Sequence, residues 1–341
     1  MKRISIIAGL AAALFSAACN PAAEKEQVVN VYTHRHYDVD KEIFSRFEEK
    51  TGIKVNVVSA SADELIMKLK QEGELSQADL LFTVDAGKIE RAKTDGLLQT
   101  INNETLKSNI LASFRDPDNQ WFGVALRARI IAVSKKVPNP EQITYADLAS
   151  EQFKGRVLMR SSDNIYNQSL VSAIIGNHGL DSAHNWLSAV HSNLARDPKG
   201  NDRDQVRAIA AGEGDITVVN SYYIGKMANS GEARDSIALA GVNFVFPSDK
   251  HLNTHTNISA GGLCKYAPNK ENAIALLEFM STKEIQDLFY SMNQEYPVYE
   301  ANPVETQFNF IGKYEADDLP LAALGTHQQS AVELFEKVSW K

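Results

Sequence analysis

Hydrophobic residues along the chain alternate between two spacings, one typical of β-strands and one of amphipathic helices. Residues 28–32 are rich in β-branched side chains and predict a strand. Residues 40–50 carry apolar residues at helical spacing and run into Thr51-Gly52, a helix-ending signal. The alternation continues with strands predicted at 53–58 and 78–84 and helices at 62–72 and 86–95. This rhythm predicts an α/β sheet with parallel strands.

A second block of the same kind follows, and two long strand-like runs connect the blocks. The block predicts strands at 155–159 and 215–219 and helices at 168–176 and 202–211, and the connecting runs are 121–134 and 254–265. We infer two α/β lobes that face each other across a cleft. The predicted first lobe is 28–126 plus 256–310, the second is 127–255, and 311–341 is a helical segment that the pattern assigns to neither. In open α/β sheets, ligands bind at the carboxyl ends of the strands.

The N-terminus predicts export. Lys2 and Arg3 precede an apolar run, residues 4–15, that is too short to span a bilayer. Small residues then lead to Cys19, so we interpret residues 1–18 as a lipoprotein-like signal peptide, with Cys19 as the acylated residue and 19–27 as a tether. Cleavage at a nearby alanine is the alternative. We expect a periplasmic or cell-surface protein with a lipid anchor if Cys19 is acylated.

Composition narrows the function classes. The chain has 341 residues, enough for two ordinary domains, and a net charge of −8. An acidic chain argues against nucleic acid as a partner, because phosphate contacts need clustered Lys and Arg. With Cys19 acylated, Cys264 would be the only remaining cysteine, which excludes a disulfide framework.

Four of the tyrosines share one sequence context. Tyr37, Tyr166 and the pair Tyr222-Tyr223 each come between a predicted strand and a predicted helix. Helix-capping residues accompany them. Because strand carboxyl ends line the mouth of an α/β cleft, we expect these phenols to lie near one another.

Clustered phenols suit more than one function. A free phenol has a pKa of about 10, but a trivalent cation strongly favours the phenolate, and ferric iron prefers anionic oxygen. Four phenolates would exceed the charge of Fe(III) by one unit, which a nearby Arg or a neutral His would moderate. The same residues also suit ring stacking on an organic ligand, or ordinary aromatic packing. Spacing alone leaves these readings open.

Longer motifs narrow the choice. Residues 31–37 read VYTHRHY, and residues 220–223 read NSYY. These motifs resemble those of the ferric-ion-binding proteins of bacterial ABC iron transporters, and the resemblance covers nearly all of residues 28–340. Other segments that carry it are 51–55, 79–85, 127–129, 214–219, 257–261, 267–269 and 296–298.

The resemblance implies a type II periplasmic-binding fold, Fe(III) as cargo and delivery to an ABC transporter permease. Matched position by position, it implies iron ligation by Tyr37, Tyr166, Tyr222 and Tyr223, with His36 as a fifth ligand. Arg129 or Arg127 would lie near the site and balance charge or contact a synergistic anion. A hinged binder of this kind needs no partner chain, so we expect a monomer.

Other functions make different demands on the sequence. A solute-binding protein for a sugar, polyamine or organic anion would share the fold and use the phenols for stacking or hydrogen bonding. An exported metal-dependent hydrolase would need an open coordination position and a general base. No motif for either is found, and we predict that the chain is not an enzyme.

Overall fold

A mixed seven-stranded sheet forms the framework of the chain. The computed structural model describes residues 27–250, 252–299 and 315–341. The strand order is β2-β1-β3-β7-β4-β5, with β6 also paired to β4. The strands are β1 (Val28–Thr33), β2 (Lys54–Ser59), β3 (Leu80–Thr83), β4 (Trp121–Ser134), β5 (Ile216–Asn220), β6 (Val242–Val245) and β7 (Thr256–Leu263).

Helices cover the sheet and complete both lobes. In chain order they are α1 (Asp38–Thr51), α2 (Ala62–Glu72), α3 (Ala86–Thr94), α4 (Glu104–Asn109), α5 (Ile165–His178), α6 (Leu180–Ser192), α7 (Asp202–Ala211), α8 (Ser221–Ala228), α9 (Ala233–Ala240), α10 (Lys270–Ser281), α11 (Lys283–Leu288) and α12 (Leu321–Lys337). Among the described residues, none of these helices is long and apolar enough to cross a bilayer.

Strand β4 joins the two lobes. Its first half, through Ala128, pairs with β7, and its second half, from Arg129, pairs with β5 and β6. All of its residues are buried. The extended run predicted at 121–134 is therefore confirmed, and it carries the chain from one lobe into the other beside the returning strand β7.

The sheet is parallel only in part, so the expectation of parallel strands is wrong for much of it. Strand β1 pairs in parallel with β2 and β3, whereas β7 is antiparallel to both β3 and β4, and β4 is antiparallel to β5 and β6. The reason is the connectivity. The chain leaves the first lobe on β4 and returns on β7, so these neighbours run in opposite directions.

The strand predicted at 155–159 is reduced to a single bridging residue. Val157 forms isolated parallel bridges to Leu194 and Ile216, and the chain then leaves the sheet. Gly155 precedes it with φ +67°, in a turn that keeps the segment from extending backwards.

The C-terminal helix α12 contacts both lobes. Near its start, Gly325 packs closely against Gly87 of α3, and farther along it packs against α5. At its end, Phe335 and Trp340 join the core of the second lobe, with ring centroids 5.4 Å apart. The lobe boundaries themselves stay a prediction. The predicted signal peptide, Cys19 and all but the last residue of the tether lie outside the described residues.

Candidate functional site

Three helix N-termini bring four tyrosines together. Tyr37 is the residue before α1, Tyr166 lies in the first turn of α5, and Tyr222 and Tyr223 lie in the first turn of α8. The last three therefore lie in the first turn of their helices, whereas the sequence pattern placed them just before the helices. Because a helix N-terminus carries a partial positive charge, each of these sites favours an anionic oxygen nearby.

The phenols touch across the two lobes. The Tyr222 and Tyr223 rings lie 4.2 Å apart between centroids, and Tyr37 meets Tyr222 edge-on at 6.2 Å. The hydroxyls of Tyr166 and Tyr222 are 3.3 Å apart, within hydrogen-bond distance. Since Tyr37 follows β1 of the first lobe and the other three belong to the second, the cluster joins the lobes. The predicted proximity of these side chains is borne out by the geometry.

Burial makes these phenols hard to ionise. Loss of solvent raises the pKa of Tyr37 and Tyr222 well above the usual value, and the neighbouring phenol of Tyr166 adds to the effect. Burial and Tyr166 also raise the pKa of Tyr223 to about 12. At neutral pH these three groups are therefore protonated phenols in the absence of a cation. A bound cation has to displace their protons.

Arginines surround the ring of Tyr166. The guanidinium carbons of Arg127, Arg160 and Arg129 lie 5.0, 5.6 and 5.9 Å from the ring centroid. Arg129 and Arg160 both bind the buried carboxylate of Asp202, at 2.7 and 2.9 Å. Arg160 was not among the residues predicted from sequence, although it comes shortly before Tyr166, in the segment that leads into α5.

A small cavity lies beside this arginine group. Its volume is about 10 Å³, comparable with one water molecule, and Arg127, Arg129, Tyr166 and Asn220 are among its lining residues. Arg127 Nη2, Arg129 Nε and Asn220 Nδ2 are buried donors without a hydrogen-bond partner among the described residues. Such donors are rare in folded proteins and mark a place that suits a small polar or anionic group.

Two further cations contact the first-lobe side of the cluster, and sequence reasoning missed both. Arg35 lies 4.9 Å from the Tyr37 ring centroid and binds Asp40 and Glu295 at 2.9 and 3.0 Å. Lys226 places its Nζ 4.7 Å from the same centroid. A signal for Lys226 was present, because residues three and four positions apart share a helix face, and it follows the tyrosine pair by that interval.

Competing influences act on the Lys226 ammonium. Burial is the largest, and it lowers the pKa of the group below the usual value. The carboxylates of Glu295 and Asp40 raise it, while the cations Arg203 and Arg35 lower it further.

His36 lies next to the cluster at its exposed side. Its ring centroid is 4.9 Å from that of Tyr37, and its Nδ1 is 3.3 Å from the His34 carbonyl oxygen. Both His34 and His36 lie beyond β1, which ends at Thr33. Among the described residues no three His, Cys, Asp or Glu side chains group as a metal site. Phenol oxygens are therefore the main donor atoms this site can offer a metal.

Comparisons with known proteins give consistent results. A family model described as bacterial extracellular solute-binding protein matches residues 76–312. Iron uptake protein A1 of Synechocystis sp. is 38% identical over 93% of this chain and 88% of that protein. The major ferric iron-binding protein of Neisseria meningitidis is 25% identical over 96% of this chain and 98% of that protein.

Solved structures extend the likeness to three dimensions. Trichodesmium FutA in complex with iron and citrate ligands superposes with a TM-score of 0.85 at 42% identity, covering 92% of this chain and all of that one. Apo ferric ion-binding protein A of Pasteurella haemolytica superposes with a TM-score of 0.85 at 39% identity, covering 92% of this chain and 98% of that one. AfuA of Actinobacillus pleuropneumoniae, with fructose-6-phosphate bound, superposes with a TM-score of 0.70 at 17% identity, covering 92% of this chain and 98% of that one. At this identity the likeness is one of fold alone.

Proposed function

We propose that this chain, which belongs to the ferric iron-binding solute-binding proteins of bacterial ABC iron uptake systems, holds Fe(III) through the phenolate oxygens of Tyr37, Tyr166, Tyr222 and Tyr223. The observation that carries this proposal is the meeting of four phenols from both lobes at three helix N-termini. The fold does not choose the cargo, because a sugar-phosphate binder shares it. The tyrosine cluster supports iron as the cargo, because phenolate oxygens are the anionic donors that Fe(III) prefers.

Iron capture in this site is an exchange of protons for a metal ion. Fe(III) is a hard cation that prefers anionic oxygen, and its charge stabilises phenolate over phenol. Because burial raises the pKa of Tyr37, Tyr222 and Tyr223, these three phenols stay protonated in the free site. Binding then releases protons, and acid favours release of the iron.

We further propose that His36 supplies a fifth ligand at the exposed side, where its ring lies against Tyr37. The imidazole adds no charge to a site in which four phenolates already exceed the charge of Fe(III). Arg129 and Arg127 then serve as charge balance or as contacts for an anion. Their buried unpartnered donors line one small cavity with room for about one water molecule, which supports contact with a small polar group there.

Iron bound to both lobes would hold them together. Strands β4 and β7 are the connections on which the lobes turn, and closure around a ligand is a common motion in two-lobed binders. We propose that the iron-loaded closed form is the one that an ABC transporter permease recognises, and that the protein acts as an extracytoplasmic monomer. Acylation at Cys19 remains a prediction and would tether it to a membrane.

A ferric titration followed by visible absorbance tests the proposal. Phenolate-to-Fe(III) charge transfer should give a band that saturates at one iron per chain. The double variant Tyr222→Phe/Tyr223→Phe should lose the band. Tyr32→Phe is the matched control, because Tyr32 is a buried tyrosine of the first lobe that donates to Glu72 instead.

A protein that takes up no iron and shows no colour would overturn the iron proposal. A thermal-shift screen of sugars, polyamines and organic anions would then identify the ligand. Retention of the band in the double variant, with loss in the Tyr32 control, would place the site elsewhere.

A further inference from the structure

The side chain of Lys226 lies where the two lobes meet. It follows Tyr222 by four residues on α8, so both side chains share one helix face. Its Nζ is 4.7 Å from the ring centroid of Tyr37 in the first lobe and 5.4 Å from that of Tyr222 in the second. The ammonium thus touches tyrosines from both lobes at once.

Among the described cations that lie over the four tyrosine rings, Lys226 differs in having no ion-pair partner. The others each form ion pairs: Arg35 with Asp40 and Glu295, Arg127 with Asp85, and Arg129 and Arg160 with Asp202. No carboxylate of the described residues lies within ion-pair distance of Lys226. Glu295 and Asp40 act on its ammonium from beyond that distance, and no direct ion pair holds its charge away from the phenols.

These ion pairs leave a simple charge balance. Arg35 faces two carboxylates, which leaves one negative charge, while Arg129 and Arg160 share a single carboxylate, which leaves one positive charge. Arg127 and its partner carboxylate cancel. The paired groups around the rings therefore sum to zero, and Lys226 adds one positive charge close to the rings of Tyr37 and Tyr222.

We propose that Lys226 is the charge-balancing residue of the iron site, offsetting the single negative charge that remains when four phenolates bind Fe(III). The inference rests on the proposed function and assigns a role to a residue outside the ligand set. A lysine suits it because the ammonium is a compact charge on a flexible stem, which can stay close to the phenolates as the lobes move.

The expected effect follows from Coulomb's law. The ammonium lies about 5 Å from the two ring centroids. If that distance is taken as its separation from the phenolate charge, with an effective dielectric constant of about 20 and a discount for partial exposure, loss of the charge should weaken iron binding on the order of 50-fold. If four protons are released per iron, the pH of half-maximal loading should rise by about 0.4 unit.

The experiment compares the wild type with variants in two measurements. One is ferric affinity, by competition with a chelator, and the other is the pH of half-maximal iron loading. Lys226→Met and Lys226→Gln both remove the charge, so one can replace the other if either folds poorly, and Lys226→Arg keeps it. Lys265→Met is the matched control. Its ammonium lies 5.3 Å from the ring of Tyr266, outside the site, and its loss changes the net charge equally.

The proposal requires weaker binding and a higher loading pH in the neutral variants, with wild-type behaviour in Lys226→Arg and Lys265→Met. Binding within twofold of wild type in a folded neutral variant would overturn it, as would an equal loss in Lys226→Arg. Failure of the wild-type chain to bind iron is a separate outcome that counts against the proposed function. Thermal unfolding of the iron-free variants reports on their folding.

Discussion

Asp202 is the buried anion that holds two arginines beside the tyrosines. One of its oxygens accepts from Arg129 Nη1 and from the backbone N–H of Asn220, both at 2.7 Å, and the other accepts from Arg160 Nη1 at 2.9 Å. The side chain is fully buried. We predict that Asp202→Asn lowers the free energy of unfolding while allowing iron to bind at lower pH.

The loss of stability follows from charges left without a partner. Breaking a buried ion pair typically costs about 3–5 kcal/mol, because the remaining charge stays buried. Arg129 keeps amide acceptors at Asn167 and Asn220, 3.0 and 3.3 Å away. We therefore expect a loss of about 3 kcal/mol, at the lower end of that range.

The change in iron binding has the opposite sign because it depends on charge. After burial and Tyr166, the Asp202 carboxylate is the next cause that raises the pKa of the Tyr223 phenol. Removing this negative charge lowers the pKa of Tyr223 and makes the phenolate easier to form. The pH of half-maximal iron loading should therefore fall.

Urea unfolding of the iron-free protein measures the first effect, and ferric titration across pH measures the second. Asp235→Asn is the matched control. Asp235 is fully buried and bound to Arg207 at 2.6 Å, and neither residue contacts the tyrosines. The control should lose stability without a shift in loading pH. An unchanged or higher loading pH in folded Asp202→Asn would refute the reasoning.

Three further changes test the framework around the site. Gly261→Ala should destabilise the protein by about 1–3 kcal/mol in urea unfolding, because its β-carbon would clash with the ring of Phe82. Burial raises the pKa of Glu295, but Arg35 outweighs it and keeps that pKa below the usual value, so the pair stabilises the wild type above about pH 4.5 and less in acid. Arg35→Met should cost about 3–5 kcal/mol at neutral pH and give a protein that gains stability on acidification, as measured by unfolding across pH. Trp340→Phe removes the indole donor to the Arg160 carbonyl, 3.1 Å away, and should cost about 1 kcal/mol in urea unfolding. Equal stability of wild type and variant would contradict each prediction in turn.

Much of the fold could be predicted from local patterns. The sequence pattern predicted α2 and α7 at the bounds they have in the structure, and the long strand-like run at 121–134 predicted β4. These elements depend on neighbours within a few positions, so sequence carries their signal. The same holds for Tyr37, Tyr166, Tyr222 and Tyr223, whose place at strand ends predicted that they would meet.

Other features depend on residues far apart in the chain, and only the tertiary structure decided them. The antiparallel pairing of β7 with β3 and β4 depends on how the chain returns between the lobes, which local spacing does not encode. The strand-like segment around Val157 pairs only through that residue's two isolated bridges, to Leu194 and Ile216, which lie far along the chain.

The electrostatic surroundings of the tyrosines were decided in the same way. Arg35 binds Glu295 from a distant part of the sequence, and Lys226 reaches the ring of Tyr37 only because α8 and the start of α1 lie side by side in the fold. Helix α12 likewise contacts both lobes through packing that its own pattern does not specify. The sequence by itself determined which side chains could bind a cation, because residue type and helix position are local. Tertiary structure determined their burial, charge balance and contact across the lobes, because those depend on the whole chain.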